Sequence, residues 1–442
     1  MEQIAESFNL YYSKWNHIPW SFYTNPQLVH ERLPTFVFGE FLFFLLSLVC
    51  FIHAVKKKNL FIWIATVIVG CTNDVIFMYL PAVDNFFHAQ GTIMLTPRLP
   101  LYILCVYNSF MYLSTVSVID LNLPIYGKAA IAGIIGELFY APYDIIGAKY
   151  LWWTWHDSDL ATGIKILGAP VGSSVWVITF CFSFVFLLSL TKSKLINFFL
   201  LLGFCTPLMV LQMSLFQIFG KPGIPDHNTL YFLLATYFLL IVFAINRVKT
   251  RKQLVRVKKT GFVDFFLFLA ISVYFFGLSL IILHDPTAHV STGIHQTIGD
   301  CNTIEYDLAG NARTKYFCPE NFSEDFRIDC PPHSSYNSLR SLKNPDNTYS
   351  WYTVCGAPFS DYNNYAITIF VLCVVGIYVY LYFLTFPPGS TYSKPSSNAP
   401  VKGKQPATNQ SGNKKGNQKP VAKNPAPQAA KKGNNKETKK NK

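Results

Sequence analysis

Between Glu137 and Pro170 the chain sets carboxylates, a histidine and a block of aromatic residues at spacings that suit chemistry on a membrane-embedded substrate. Glu137, Tyr140 and Asp144 recur at i, i+3 and i+7, which in a helix places all three on one stripe, and Pro142 loosens the backbone beside them. Trp152-Trp153-Thr154-Trp155 follows, and then His156 and Asp157. Glu40, Asp74, Asn73, Asn108 and Tyr140 are the supporting polar groups, each inside an apolar run. A carboxylate at membrane depth with no intramembrane Lys or Arg beside it costs several kcal/mol or takes up a proton, so these residues point to function before they point to structure.

Three chemistries suit such a set. Glu137, Asp144, His156 and Asp157 can act as general acids and bases on a lipid head group or an isoprenoid double bond. They can relay protons or bind a cation in a transporter. The third is holding a divalent metal together with other histidines, but His53, His88 and His156 are isolated and no HxxxH or HExxH spacing occurs, so no metal centre is expected. The bland alternative is that protonated Asp and Glu join helices through hydrogen bonds to Asn73, Asn108, Tyr140 or the Gln212 region, each giving roughly 0.6–2 kcal/mol. On that reading His156-Asp157 is a solvated loop and the tryptophans anchor the chain at the membrane interface. No cofactor is specified by the residues.

The elements that must position these groups are helices. Over 442 residues the chain is 51% hydrophobic and only 14% charged, too apolar for a soluble protein of that length. Nine runs long enough to cross a bilayer fall at 35–55, 59–80, 99–120, 128–148, 170–190, 195–219, 229–246, 262–284 and 365–386. The expected fold is therefore all-α, a polytopic transmembrane bundle of about nine spans. It divides into an N-terminal segment 1–34, an eight-span bundle 35–284, a polar loop 285–364, a ninth helix 365–386 and a tail 387–442.

Most of the 37 Lys and Arg fall on one set of alternate loops, including Lys56-Lys57-Lys58, the stretch Arg247 to Lys259 and the tail. The positive-inside rule then predicts the N-terminus outside and the C-terminus in the cytoplasm. Nucleic acid is not the expected partner of this positive charge. Membrane lipids are, with Arg247 to Lys259 and the tail lying on the anionic inner leaflet. Residues 1–34 lack the basic start, apolar core and small-residue cleavage site of a signal peptide, so the first run is expected to insert by itself.

Loop 285–364 holds four of the ten cysteines, Cys301, Cys318, Cys330 and Cys355, and two disulfides are expected there, with the pairing open. Asn321-Phe322-Ser323 is a glycosylation acceptor in the same loop. The tail, rich in Lys, Asn, Pro, Gly and Ser, is expected to be disordered. Lys439 and Lys440 near its end resemble a dilysine retrieval signal, which implies the endoplasmic reticulum or early secretory pathway, the plasma membrane being the other option.

The run Trp152-Trp153-Thr154-Trp155-His156-Asp157-Ser158-Asp159, followed by Gly168-Ala169-Pro170, resembles the signature of a family of multi-pass eukaryotic membrane proteins known as a domain of unknown function. That resemblance implies a membrane fold over most of the chain and no particular activity. An acidic span followed by Trp-x-Trp and Gly-x-Pro is also faintly similar to carotenoid-hydratase-like membrane enzymes. The resulting expectation is a protein acting on a lipid or isoprenoid substrate through an outer-leaflet pocket of Glu137, Asp144, His156 and Asp157. A proton- or cation-coupled transporter and a non-catalytic scaffold are the alternatives, so enzymatic activity is left open.

Overall fold

The computed structural model describes residues 20–218, 220–248, 261–291, 295–328, 330 and 350–385. Most of the Arg247 to Lys259 stretch, the tail 387–442 and its Lys439 and Lys440 lie outside the described residues. Nine helices among the described residues are long and apolar enough to cross a membrane. They are α1 (Pro34–Lys56), α2 (Leu60–Tyr79), α3 (Leu101–Val118), α4 (Ile125–Lys149), α5 (Val171–Leu188), α6 (Lys194–Phe216), α7 (His227–Arg247), α8 (Phe262–Ile281) and α9 (Tyr362–Thr385). Each coincides with one apolar run to within a few residues.

Local sequence accounts for their starts. Pro34 opens α1, where its missing N–H costs nothing. The Asp226 carboxylate accepts from Thr229 N at 2.7 Å to cap α7. Asp264 in the first turn of α8 accepts from Gly261 N at 2.7 Å. The same carboxylate is bound by Lys57 and lies 3.2 Å from His53 Nε2, while His53 Nδ1 is 2.8 Å from the Tyr112 hydroxyl, which fastens α1, α3 and α8 at one end of the bundle.

Helix α4 is the hub, packed against α3, α5, α7, α8 and α9. Small residues let it approach α5 closely: a Cβ at Gly133 would stand 2.6 Å from the Ile178 carbonyl oxygen. Pro142 cannot give an N–H to the preceding turn, and hydroxyls from neighbouring helices also reach carbonyls of α4 near it. Tyr274 of α8 donates to Phe139 O at 3.2 Å, and Tyr365 and Tyr380 of α9 donate to Ile145 O and Ile135 O at 3.3 Å each. Most of α3 and α5 is buried, whereas α6, α7 and α9 present long apolar faces outward, as peripheral spans must.

The end opposite the Lys57–Asp264 clamp carries a layer of loops, where a few short strands join a mostly helical fold. Short antiparallel strands β1 (Phe86–His88) and β2 (Trp153–Trp155) pair, as do β3 (Lys165–Ile166) and β4 (Ala169–Pro170). In the 285–364 region β5 (Val290–Ser291), β8 (Phe326–Arg327) and β9 (Val354–Gly356) form a three-stranded sheet, beside a hairpin of β6 (Ile304–Tyr306) and β7 (Ala312–Thr314). Disulfides join Cys301 to Cys318 and Cys330 to Cys355, closing loops of 17 and 25 residues and stabilising the layer by about 3 kcal/mol each on a loop-entropy account. The layer is not a detached domain: Lys149 of α4 donates to Asp325 Oδ2 at 2.7 Å and to Pro358 O at 3.0 Å, and Tyr150 donates to His284 O at 3.0 Å.

Candidate functional site

A cavity of about 580 Å³ lies where α2, α3, α4, α5 and α6 meet the loop layer. That volume is typical of small-molecule sites, which run from roughly 300 to 1,000 Å³. Aromatic rings form much of its wall. Trp176 of α5 stacks on Phe180 with ring centres 5.3 Å apart, and its edge contacts include Tyr107 and Tyr140 at 6.0 Å each. Tyr143 and Trp153, 4.9 Å apart, continue the wall toward the layer.

Some of the polar groups on this wall are only partly satisfied. Asp74 accepts from the Tyr107 hydroxyl at 3.0 Å through Oδ1, while its Oδ2 has no hydrogen-bond partner among the described residues. Asn73 beside it accepts from Thr206 Oγ1 at 3.3 Å. Neither ring nitrogen of buried His88 finds a partner among the described residues, and the same holds for the indole N–H groups of Trp153 and Trp155. Burial, with the Arg98 charge adding to it, pushes His88 down to about 3, so its ring is neutral at physiological pH. Buried polar atoms are rarely left unpaired, and on this wall four residues hold groups that a water or a ligand would satisfy.

Strand pairing holds these groups in place. His88 faces Trp153 and Phe86 faces Trp155 in the β1–β2 register. Arg98 fixes β1 from behind, with NH1 and NH2 donating to the two Asp84 oxygens at 3.0 and 2.7 Å and NH2 also to Phe86 O at 2.7 Å. The six-membered ring of Trp153 packs against Gly147 of α4, where a Cβ would come within 2.0 Å of the indole. Only glycine admits the ring.

The residues singled out in the sequence separate into groups. Asp74, Asn73 and Tyr140 line the cavity. Glu137 and Asp144 do not: they face the hydroxyls of Ser174 and Ser173 on α5, and only Ser173 of these reaches the cavity wall. Glu40 accepts from Thr92 N at 3.0 Å and so anchors a loop, and Asn108 donates to Ser47 Oγ at 2.7 Å between α1 and α3.

His156 and Asp157 lie apart from the cavity. His156 is buried with Nε2 3.1 Å from Gln296 Nε2, and Asp157 accepts from Ser323 N at 2.7 Å while its own N–H donates to Gln296 Oε1 at 2.9 Å. Both are turned into the loop layer, away from the cavity. Trp152 and Trp153 are buried within the protein, and Trp155 is half-buried.

Within β2 the side chains alternate. In β2 the side chains of Trp153 and Trp155 point to the cavity, and Thr154 between them points the other way, its hydroxyl 2.9 Å from His295 Nδ1. Trp152 donates to Thr35 Oγ1 at 3.1 Å, and that hydroxyl is 2.8 Å from His289 Nε2. Ser158 Oγ is 2.7 Å from Thr314 Oγ1, and Asp159 caps Ala161 N at 2.7 Å and pairs with Arg313. The motif is a seam between bundle and layer with two of its rings on the cavity. Sequence reasoning missed His88, Ser173, Trp176 and Asp159 as cavity residues, and the one available hint was that His88 sits in a short Phe-Phe-His run with no other explanation.

A family described as a domain of unknown function (DUF7802) matches residues 17–386. The chain belongs to that family. No curated protein matches it and no solved structure matches it, so the faint likeness to carotenoid-hydratase-like enzymes rests on its short motif alone. As a family member with nine apolar helices, the chain is a multi-pass membrane protein whose family carries no assigned activity.

Proposed function

We propose that this membrane protein binds a lipophilic, polar-headed molecule in the cavity between α2 and α6, with Asp74 and His88 at the head group and the aromatic wall along the apolar part. The single observation that carries the reading is an aromatic cavity of about 580 Å³ whose wall holds the unpaired polar atoms of Asp74, His88, Trp153 and Trp155. Asp74 and His88 are also the residues through which an acid–base step on such a molecule would run. The test is to purify the full chain in nanodiscs and measure retained amphiphile by native mass spectrometry. Ser173→Trp, which fills the cavity from α5, is expected to lose most of the bound species while keeping its helicity. Equal retention in the two proteins would reject the reading.

We further infer that the loop layer faces the lumen of the endoplasmic reticulum, with the N-terminus on that side and the C-terminus cytoplasmic. Supporting this are two disulfides in the layer, which persist in an oxidising compartment, and Lys56-Lys57-Lys58 at the opposite end of the bundle. Asn321 is exposed on the layer. The wild-type chain is expected to carry a glycan that endoglycosidase H removes and that Asn321→Gln lacks. An unmodified wild-type chain would turn the topology over.

A further inference from the structure

Resting on the reading of the cavity as an amphiphile site, we propose that the head group it takes is cationic, as in a long-chain amine. Among the described residues no Lys or Arg lines the cavity, while three aspartates do: Asp74, Asp159 and Asp307. Two of the three are already committed. Asp159 is paired with Arg313, and Asp307 accepts from Asn311 N at 2.7 Å and Asn311 Nδ2 at 2.9 Å. Asp74 keeps one oxygen without a partner, in a buried position where an ammonium group would supply the missing counter-charge.

The surrounding rings favour the same charge. Tyr107, Tyr140, Tyr143, Trp153 and Trp176 present aromatic surface to the cavity, and the negative faces of such rings attract an organic cation, most strongly where water is excluded. Neutral His88 offers a lone pair to an ammonium N–H without adding a competing positive charge. A phosphate head finds no basic group on the wall. Arg98, whose charge reaches Asp74, is held by Asp84 and by the carbonyls of Phe86 and Met78. The indole N–H groups of Trp153 and Trp155 are donors and would serve an anion as well as an alcohol, so both belong in the test.

The experiment uses the full chain in phosphatidylcholine nanodiscs, with empty nanodiscs subtracted, and measures binding of dodecylamine, dodecanol, dodecanoate and butylamine by quenching of tryptophan fluorescence. Dodecylamine is expected to bind at least tenfold more tightly than dodecanol or dodecanoate, and Asp74→Asn to remove that preference. Butylamine is expected to bind weakly, which identifies a chain-bearing amine rather than a small soluble one; butylamine binding as well as dodecylamine would overturn the long-chain class. Dodecanol or dodecanoate binding as well as the amine to the wild-type chain would overturn the cationic head group and leave the amphiphile site standing. Binding of all four that is absent, or unchanged in Ser173→Trp, would overturn the site itself and this inference with it. The comparison among ligands needs only the wild-type chain, so misfolding of a variant does not blunt it.

Discussion

Replacing Arg313 with methionine is expected to destabilise the seam between bundle and loop layer by about 3–5 kcal/mol, the range for a buried ion pair that loses one partner. Arg313 and Asp159 are almost fully enclosed, and the guanidinium also binds Pro81 O at 2.6 Å and Glu305 at 2.7 Å. Removing it leaves the Asp159 carboxylate buried without a counter-charge and, among the described residues, reduces the ties between the loop after α2 and the β6–β7 hairpin to the Leu308 N to Ala82 O bond at 2.9 Å. Limited proteolysis of the layer and the thermal midpoint of the purified chain measure the effect. Arg313→Met combined with Asp159→Leu is expected to recover part of the loss, because the stranded charge goes with it. A single variant as protease-resistant as wild type would show that the pair holds nothing.

Acid is expected to loosen the same layer. Three of its histidines are buried and neutral: burial pushes His88 down to about 3 and His289 and His295 to about 4, against bonds from Asp285 and Ser291 carbonyls that pull the last two upward. In the unfolded chain each takes a proton near its ordinary value of 6.5. Between that value and about 4 the unfolded layer therefore binds protons that the folded layer refuses, so stability is complete above the window and falls as pH drops through it. A tenfold loss of proton affinity corresponds to about 1.4 kcal/mol, so the three histidines together amount to several kcal/mol. Hydrogen exchange or proteolysis at about pH 7 and about pH 4.5 reads the change. His295→Gln, which keeps a hydrogen-bonding side chain beside Thr154 without titrating, is expected to flatten the profile, and an unchanged profile would exclude His295 from it.

The bundle was legible because a bilayer span imposes its length on the sequence. Runs such as 262–284 and 365–386 contain little besides apolar residues, and the helices Phe262–Ile281 and Tyr362–Thr385 follow them closely. The disulfide region was legible from cysteine clustering, though only coordinates pair Cys301 with Cys318. The cavity was less so. Helical periodicity places Glu137, Tyr140 and Asp144 on a stripe, yet a stripe is wide enough for Tyr140 to face the cavity while its neighbours face Ser174 and Ser173. His156 and Asp157 looked reactive because their partners, Gln296 and Ser323, lie more than a hundred residues away in sequence. A three-residue strand shows no period that could have announced which face of Trp153-Thr154-Trp155 meets the cavity.

That strand has a thermodynamic corollary. Trp153 and Trp155 line the cavity while Thr154 meets His295 on the reverse side, so on the proposed function occupancy inside and cohesion outside would draw on one shared equilibrium. A guest that tightens the strand must make the outer cover harder to peel away, and by reciprocity anything that clamps the cover from without must raise affinity for the guest by the same factor.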